Sequence, residues 1–382
     1  MAISYAHPTV AGRTISEMTP LHVLRSERFE TPTILKAVAA AGRQLAELKG
    51  VARSIPNEAI LINTLSLQEA KDSSAIENIV TTHDELFRDA ASPESAASPA
   101  AKEVARYAEA LRTGFAAVLE HGLLTTSHTL RIQEVLEPAR AGFRKVPGTA
   151  LRSNTGDVVY TPPQHPDEIV QLMGDLERFV NDDGLFAADP LVKMALIHHQ
   201  FESIHPFYDG NGRTGRIVCV LYLVKEGLLG LPVLYLSRFI VATKTDYYRL
   251  LQGVRERDEW EDWVMYMLTA VERTAAQGVT TIQHIGRALL DIKHQIRDRH
   301  KFYSQDLINH LFMHPYTKIA ILERHLGVSA LTARKYLETL TRDGILQKTK
   351  IGRSNYYINR RLFDILTGDD MGGGEPLAGV KA

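Results

Sequence analysis

Residues 205–216, His-Pro-Phe-Tyr-Asp-Gly-Asn-Gly-Arg-Thr-Gly-Arg, constrain this chain more than any other stretch. Before them, residues 190–204 carry Leu191, Ala195, Ile197, Phe201 and Ile204 at helical spacing. Pro206 stops that helix, because it lacks an N–H and its ring clashes with the preceding turn. Gly210-Asn211-Gly212 is a turn signal, and a second helix is expected over roughly 212–226. Two apolar helices therefore meet across one short glycine-rich loop.

The loop gathers groups that suit phosphate chemistry. Backbone N–H groups at the start of the second helix can form an anion nest, reinforced by the helix dipole. Arg213 and Arg216, three apart, fall on one side of the first turn and offer two fork-shaped donors. Asp209 beside the nest is a hard oxygen ligand for magnesium held with substrate phosphates. His205, with an ordinary pKa near neutrality, can take a proton from an attacking hydroxyl. Phe207 reads as a core anchor. Taken singly these are a structural histidine, a turn aspartate and solvated arginines; a purely structural loop has no use for all of them together. A transition-metal alternative would use His198, His199, His205 and Asp209. It is disfavoured because adjacent helical histidines diverge by about 100°.

The segment resembles the Fic family motif, His-Pro-Phe-x-Asp/Glu-Gly-Asn-Gly-Arg-x-x-Arg, at every specified position. Upstream, Ser73-Ser74-Ala75-Ile76-Glu77-Asn78 is similar to the family's inhibitory-helix motif, Ser/Thr-x-x-x-Glu-Gly/Asn. Helical spacing would put Ser73 and Glu77 one turn apart on one face. Further stretches resemble the family's flap and the region after the motif: Gly142-Phe143-Arg144, Tyr160-Thr161-Pro162-Pro163, Leu234-Tyr235-Leu236-Ser237, Tyr247-Tyr248 and Trp260-x-x-Trp263. One departure stands near the expected adenine side, where Thr243 precedes Lys244 in place of the family's frequent Asn.

The resemblance implies a protein adenylyltransferase, moving AMP from ATP to a Ser, Thr or Tyr hydroxyl. His205 would be the base and Asp209 would hold Mg2+. Gly210, Asn211, Gly212, Arg213, Thr214, Gly215, Arg216 and Thr243 would bind nucleotide, with both backbone and side-chain donors cradling the phosphates. Ser73, Glu77 and Asn78 would be inhibitory, Glu77 competing with the terminal phosphate for Arg216. A target protein would dock on a flap hairpin over 146–161, and self-modification is expected. Two alternatives stand beside this: an enzyme that removes AMP, alone or in addition, using Glu77 to orient water, and a nucleotide-sensing DNA-binding regulator.

At 382 residues the chain is long enough for two or three domains. A net charge of −1 excludes a general polyanion binder. One cysteine, Cys219, excludes an internal disulfide framework and suits a reducing compartment, so a cytoplasmic location is expected. The first ten residues show no signal peptide, and no uncharged stretch reaches membrane-spanning length.

The expected fold is mainly α: a Fic helical core with a β-hairpin flap, plus a C-terminal winged helix. Helices are expected over 33–48, stopped by Gly50, then from Pro56, over 102–121 after a small-residue loop at 89–101, from Pro166, and over 247–272 with Trp260 and Trp263 as core anchors. Residues 146–151 and 158–161 flank a turn at 153–157. The domain boundaries would be an N-terminal helical region to residue 100 with its inhibitory helix near 72–80, the core over 101–273, a linking helix over 274–300, the winged helix over 301–367 and a disordered tail over 368–382. In the winged helix, helices over 317–325 and 330–342 precede strands over 345–350 and 355–358. Residues 301–367 carry eleven Lys/Arg against five Asp/Glu. Thr332, Arg334, Lys335, Lys348, Lys350 and Arg353 make DNA a candidate partner. A homodimer is a candidate assembly.

Overall fold

The computed structural model describes residues 18–90, 98–152, 155–351 and 354–368. Ser153 and Asn154 of the hairpin turn, Arg353, part of the 89–101 loop, the first ten residues and nearly all of the tail expected to be disordered lie outside the described residues. The elements in chain order are α1 (Pro32–Ala52), α2 (Glu58–Ile76), α3 (His83–Ala90), α4 (Pro99–His121), α5 (Thr126–Leu136), β1 (Leu151–Arg152), β2 (Val158–Tyr160), α6 (Pro166–Asn181), α7 (Pro190–Ile204) and α8 (Asn211–Lys225). Then come α9 (Leu236–Ala242), α10 (Lys244–Arg257), α11 (Trp260–Arg299), α12 (Gln305–Met313), β3 (Tyr316–Thr317), α13 (Ile319–Leu326), α14 (Ala330–Arg342), β4 (Gln347–Ile351), β5 (Ser354–Ile358) and α15 (Arg360–Thr367). The protein is mainly α. Among the described residues no helix is long and apolar enough to cross a membrane.

The chain forms two compact units, each assembled from separated stretches. The first takes residues up to 42, then 110–228 and 246–269. Its centre is α7, buried from Leu191 through Ile204, histidines and glutamate included. Such a helix has no solvent face, and its polar residues must find partners inside. Asp189 caps its start, accepting from the Leu191 N–H at 2.8 Å, and Pro190 sits at N1, where no donor is missed. On one side lies α6, which buries Ile169, Leu172, Met173, Leu176, Phe179 and Val180 at the i, i+3, i+4, i+7 spacing of an amphipathic helix. On another lies α8, drawn close by Gly215. A Cβ there would sit 2.8 Å from Glu202 Oε1 and 3.0 Å from the Phe201 ring. Trp263 is fully buried and donates its indole N–H to the Ala195 carbonyl at 2.8 Å.

The second unit takes residues 43–109, 229–245 and 270 onward. Here α2 is central. It buries Ile60, Leu61, Leu65 and Ile76 together with the polar Thr64, Gln68, Glu69 and Ser73. The buried Glu69 carboxylate accepts from Tyr107 Oη at 3.1 Å, from the Ser237 N–H at 3.2 Å and from the Ser237 hydroxyl. It thus serves as an acidic cap for the start of α9, where a negative charge is favoured. The C-terminal elements build a three-stranded antiparallel sheet of order β3-β5-β4 beside α12, α13 and α14. In register, Lys348 faces Tyr357 and Tyr316 faces Ile358. These elements join α2 and α3 through Gln68 donating to the Leu366 carbonyl, and through Phe87 against Phe363 at 6.0 Å between ring centroids.

Several element boundaries differ from the sequence expectation. Gly50 does not stop α1, which runs to Ala52, and α4 starts at Pro99, with proline tolerated in the first turn. No separate linking helix starts at 274: Trp260–Arg299 is one helix of 40 residues. Tyr316–Thr317 pairs with β5 as a strand, so α13 begins only at Ile319. Asn211, expected before the helix, is already inside α8.

Candidate active site

The loop between α7 and α8 is fixed by side chains at its ends. Phe207 is fully buried, its ring 5.5 Å from Phe143 and 6.2 Å from Phe201. Burying such a ring contributes about 2–3 kcal/mol. Asn211 brackets the same residue: its Oδ1 accepts from the Phe207 N–H at 2.8 Å, and its Nδ2 donates to the Phe207 carbonyl at 2.8 Å. The side chain expected to donate to phosphate is therefore committed to the loop. Only its backbone remains for the nest.

Gly210 enters α8 with φ 79, and no side chain caps this helix start. A Cβ at Gly210 would also press on Glu137 at 3.3 Å. The first-turn N–H groups of α8 lack intrahelical partners, as at any helix start, and this one carries the positive dipole end. Arg213 is buried and its NH2 donates to Glu137 Oε1 at 2.9 Å and to Asp209 Oδ1 at 3.2 Å. Asp209 Oδ1 also accepts from the Gly210 N–H at 2.7 Å. Glu137, at the end of α5, is a residue that sequence reasoning missed. It stands 76 positions from its partner, and no spacing rule connects them. Arg216 is fully buried, and the Thr214 hydroxyl is buried with no hydrogen-bond partner among the described residues.

His205 follows α7 as its C-cap with φ 48 and ψ 57, a left-handed conformation in a non-glycine residue. Its N–H closes onto the Phe201 carbonyl at 2.9 Å. The neutral-range pKa expected from sequence does not hold. Burial, with the Arg144 and Arg255 guanidinium groups adding to it, pushes the imidazole down to about 4; the Glu202 carbonyl and Asp209 pull weakly the other way. The ring is therefore unprotonated near pH 7 and able to accept a proton.

The transition-metal alternative fails. His198 bonds Tyr247 Oη at 2.9 Å, and His199 bonds the Leu251 carbonyl at 3.2 Å while its ring packs on Trp260. Burial holds both near pKa 3. Among the described residues no three His, Cys, Asp or Glu side chains are grouped to hold a metal. The half-exposed Asp209 carboxylate fits the lesser role of a single hard ligand beside substrate phosphates.

The remaining candidates lie in the second unit. Thr243 caps the end of α9, its hydroxyl donating to the Phe239 carbonyl at 2.7 Å. Ser73 is buried in α2, and that helix ends at Ile76, so Glu77 is its exposed C-cap and not a member of the helix face. Asn78 follows with φ 64. The Ile79 N–H reaches the Ser74 carbonyl at 3.0 Å and the Asn78 N–H the Ala75 carbonyl at 3.1 Å, a Schellman closure. This explains the residue type: the position after Glu77 needs left-handed backbone, which Gly and Asn adopt most readily.

Three family models match successive stretches of the chain. Residues 35–116 match the Fic/DOC family N-terminal model, residues 123–223 the Fic/DOC family model, and residues 289–362 the protein adenylyltransferase SoFic-like C-terminal domain. The protein adenylyltransferase fic-1 of Caenorhabditis briggsae is 30% identical over 131 residues, which is 32% of this chain and 24% of that protein. The chain thus spans about a quarter of that relative's length. A Fic family protein from Desulfovibrio desulfuricans G20 superposes with a TM-score of 0.56 at 23% identity, covering 86% of this chain and 96% of that one. A Fic-domain signaling protein from Bacteroides thetaiotaomicron gives 0.52 at 19% identity, covering 64% and 97%. Both share the fold. With the motif complete over 205–216 and three family models along its length, the chain belongs to the Fic/DOC family.

Proposed function

We propose that this protein is an adenylyltransferase that moves AMP from ATP to a hydroxyl of a target protein. The observation that carries the reading is a neutral, buried imidazole at the end of α7, one short loop from the uncapped positive start of α8. His205 takes the proton of the target hydroxyl, whose oxygen attacks the α-phosphorus, and pyrophosphate leaves. The start of α8 binds phosphate oxygens, and Arg213 and Arg216 offset the charge that builds on the leaving group. Asp209 would hold magnesium with the phosphates, and the ion would supply further charge neutralisation there. Val158 and Val159 on β2 are exposed, which suits docking of a target strand against the hairpin.

Glu77 is the inhibitory carboxylate in this reading, competing with the terminal phosphate for Arg216. The exposed Arg334, Lys335 and Lys350 are proposed to contact polyanions such as DNA. Salt-sensitive binding lost on changing Arg334 and Lys335 to Glu supports that contact; no binding to any DNA at low salt removes it.

The deciding experiment incubates the purified protein, H205A and E77G with labelled ATP and a cell lysate, followed by mass spectrometry. AMP on protein hydroxyls, absent with H205A, supports the reading. ATP binding without transfer by E77G overturns it in favour of a nucleotide sensor. Faster loss of AMP from modified protein with the parent than with E77G would favour AMP removal.

A further inference from the structure

The end of α7 has more partners than a helix end needs. The last carbonyls of a helix lack intrahelical donors and usually face water. Here the Phe201 carbonyl is closed by the His205 N–H, and the next four go to three side chains. Arg255 NH2 donates to the Glu202 carbonyl at 3.2 Å, and Tyr160 Oη to the Ser203 carbonyl at 3.0 Å. Arg144 donates from NH2 to the Ile204 carbonyl at 3.2 Å and from Nε to the His205 carbonyl at 2.7 Å.

Arg255 and Tyr160 also brace each other, and Arg144 braces the loop. The Arg255 guanidinium lies 4.0 Å from the centre of the Tyr160 ring, and its Nε donates to Ser203 Oγ at 3.0 Å. Arg144, itself fully buried, donates its backbone N–H to the Pro206 carbonyl at 2.9 Å and NH2 to the Pro163 carbonyl at 2.7 Å. They come from separate segments: the strap after α5, the end of β2, and α10. What they surround is a histidine in left-handed backbone, a strained conformation in a residue other than glycine. Such strain persists only where the surroundings over-determine it.

We propose that Arg144 and Arg255, the latter stacked on Tyr160, are positioning residues that clamp the last turn of α7 and fix the left-handed backbone aiming the His205 imidazole at the reacting hydroxyl. The proposal rests on His205 acting as the general base. None of the three needs to touch substrate. The forked guanidinium is required, since Arg144 must reach the Ile204 and His205 carbonyls, and Arg255 the Glu202 carbonyl and Ser203 Oγ, at angles fixed by a planar group, which the point-like ammonium of lysine does not reproduce. The two cations also complement the negative end of α7. The charged groups facing the imidazole are Arg144, Arg255 and Asp209, so loss of either cation makes protonation easier.

The test uses the full chain with E77G as the parent, so that turnover is measurable. R144K and R255K should each lower kcat by about 10²-fold, the cost of misplacing a catalytic group by roughly 1 Å, with KM for ATP within about twofold of the parent. Y160F removes one hydrogen bond and keeps the ring under Arg255, so its loss should be about fivefold. R144M and R255M should move the acid limb of the pH–rate profile upward, and the His205 signal in a histidine-labelled NMR titration should follow it. Thermal midpoints and ATP binding report whether each variant is folded. Folded R144K and R255K with kcat within about threefold of the parent and an unmoved His205 titration overturn the clamp; if R144K does not fold, R255K and Y160F decide by the same criterion. If the parent transfers no AMP, the proposed function fails, and the NMR titration still decides the clamp.

Discussion

Two helix ends in this molecule take the same backbone turn and are held in opposite ways. At α7 the left-handed residue is His205, φ 48, and at α2 it is Asn78, φ 64. Asparagine adopts this conformation readily, and the α2 end is closed by its own backbone through the Schellman pair. The Asn78 side chain adds one bond from Lys244 Nζ at 3.1 Å, and both Glu77 and Asn78 face solvent. Histidine pays more for the same turn, and its helix end is gripped by Arg144, Tyr160 and Arg255 inside the unit. A group that must not move is over-determined by tertiary contacts. The carboxylate proposed to compete with a phosphate sits instead on an exposed end that the backbone closes locally.

The largest effect should come from removing the rigid end's chemistry. H205A is expected to lower AMP transfer by roughly 10²–10⁴-fold while ATP binding, measured by calorimetry, is retained. Transfer near the parent rate would break the comparison at its fixed side. The displaceable side predicts the opposite sign: E77G should raise transfer at least about tenfold, within the roughly 10²-fold that correct alignment can contribute. Adding R216A should cancel that gain. An E77G protein no faster than the parent would remove the inhibitory role.

A pH scan sharpens the same contrast. His198 and His199 lie near pKa 3 and His205 near 4, all below the ordinary 6.5. The unfolded chain binds these protons first. Stability from their burial is therefore fully present above about pH 6.5 and is lost as pH falls toward about 4 for His205 and about 3 for His198 and His199. The thermal midpoint should drop across that window, and H198F should shrink the drop. The acid limb of transfer should lie well below 6.5, since His205 stays neutral there. A limb at the ordinary histidine value would mean that the buried environment does not govern the base. The smallest effect is expected for N78G. Glycine keeps the left-handed turn and loses only the bond from Lys244, so the stability change should stay within about 1 kcal/mol. A larger loss would show that the α2 end is braced more like the α7 end.

Much of the frame was legible in the residue pattern. Pro190 and Pro206 bracket α7 within a residue, and Ala330–Arg342 follows from its Ser329 cap, whose Oγ accepts from the Thr332 N–H. The loop between α7 and α8 was legible because its chemistry is contiguous, so a dozen residues carry imidazole, carboxylate, nest and guanidinium groups together. The helix expected over 247–272 ran through the break at residues 258–259 that separates α10 from α11, and it was divided near 273, where α11 in fact continues to Arg299. β3 escaped notice because two residues, Tyr316 and Thr317, carry no alternation to read.

The sequence by itself determined the local elements, the loop and the identity of the groups that meet in it, because periodicity, proline, glycine and caps act over a few residues. Tertiary structure alone decided what those groups became. Glu137, 76 positions away, occupies Arg213, and Phe207 takes up the Asn211 amide expected to donate to phosphate. Burial moved His205 from near neutrality to about 4, and Arg144 and Arg255 came from distant segments to hold it. Desolvation, charge and hydrogen-bond partners depend on distance through space, and spacing along the chain does not record it.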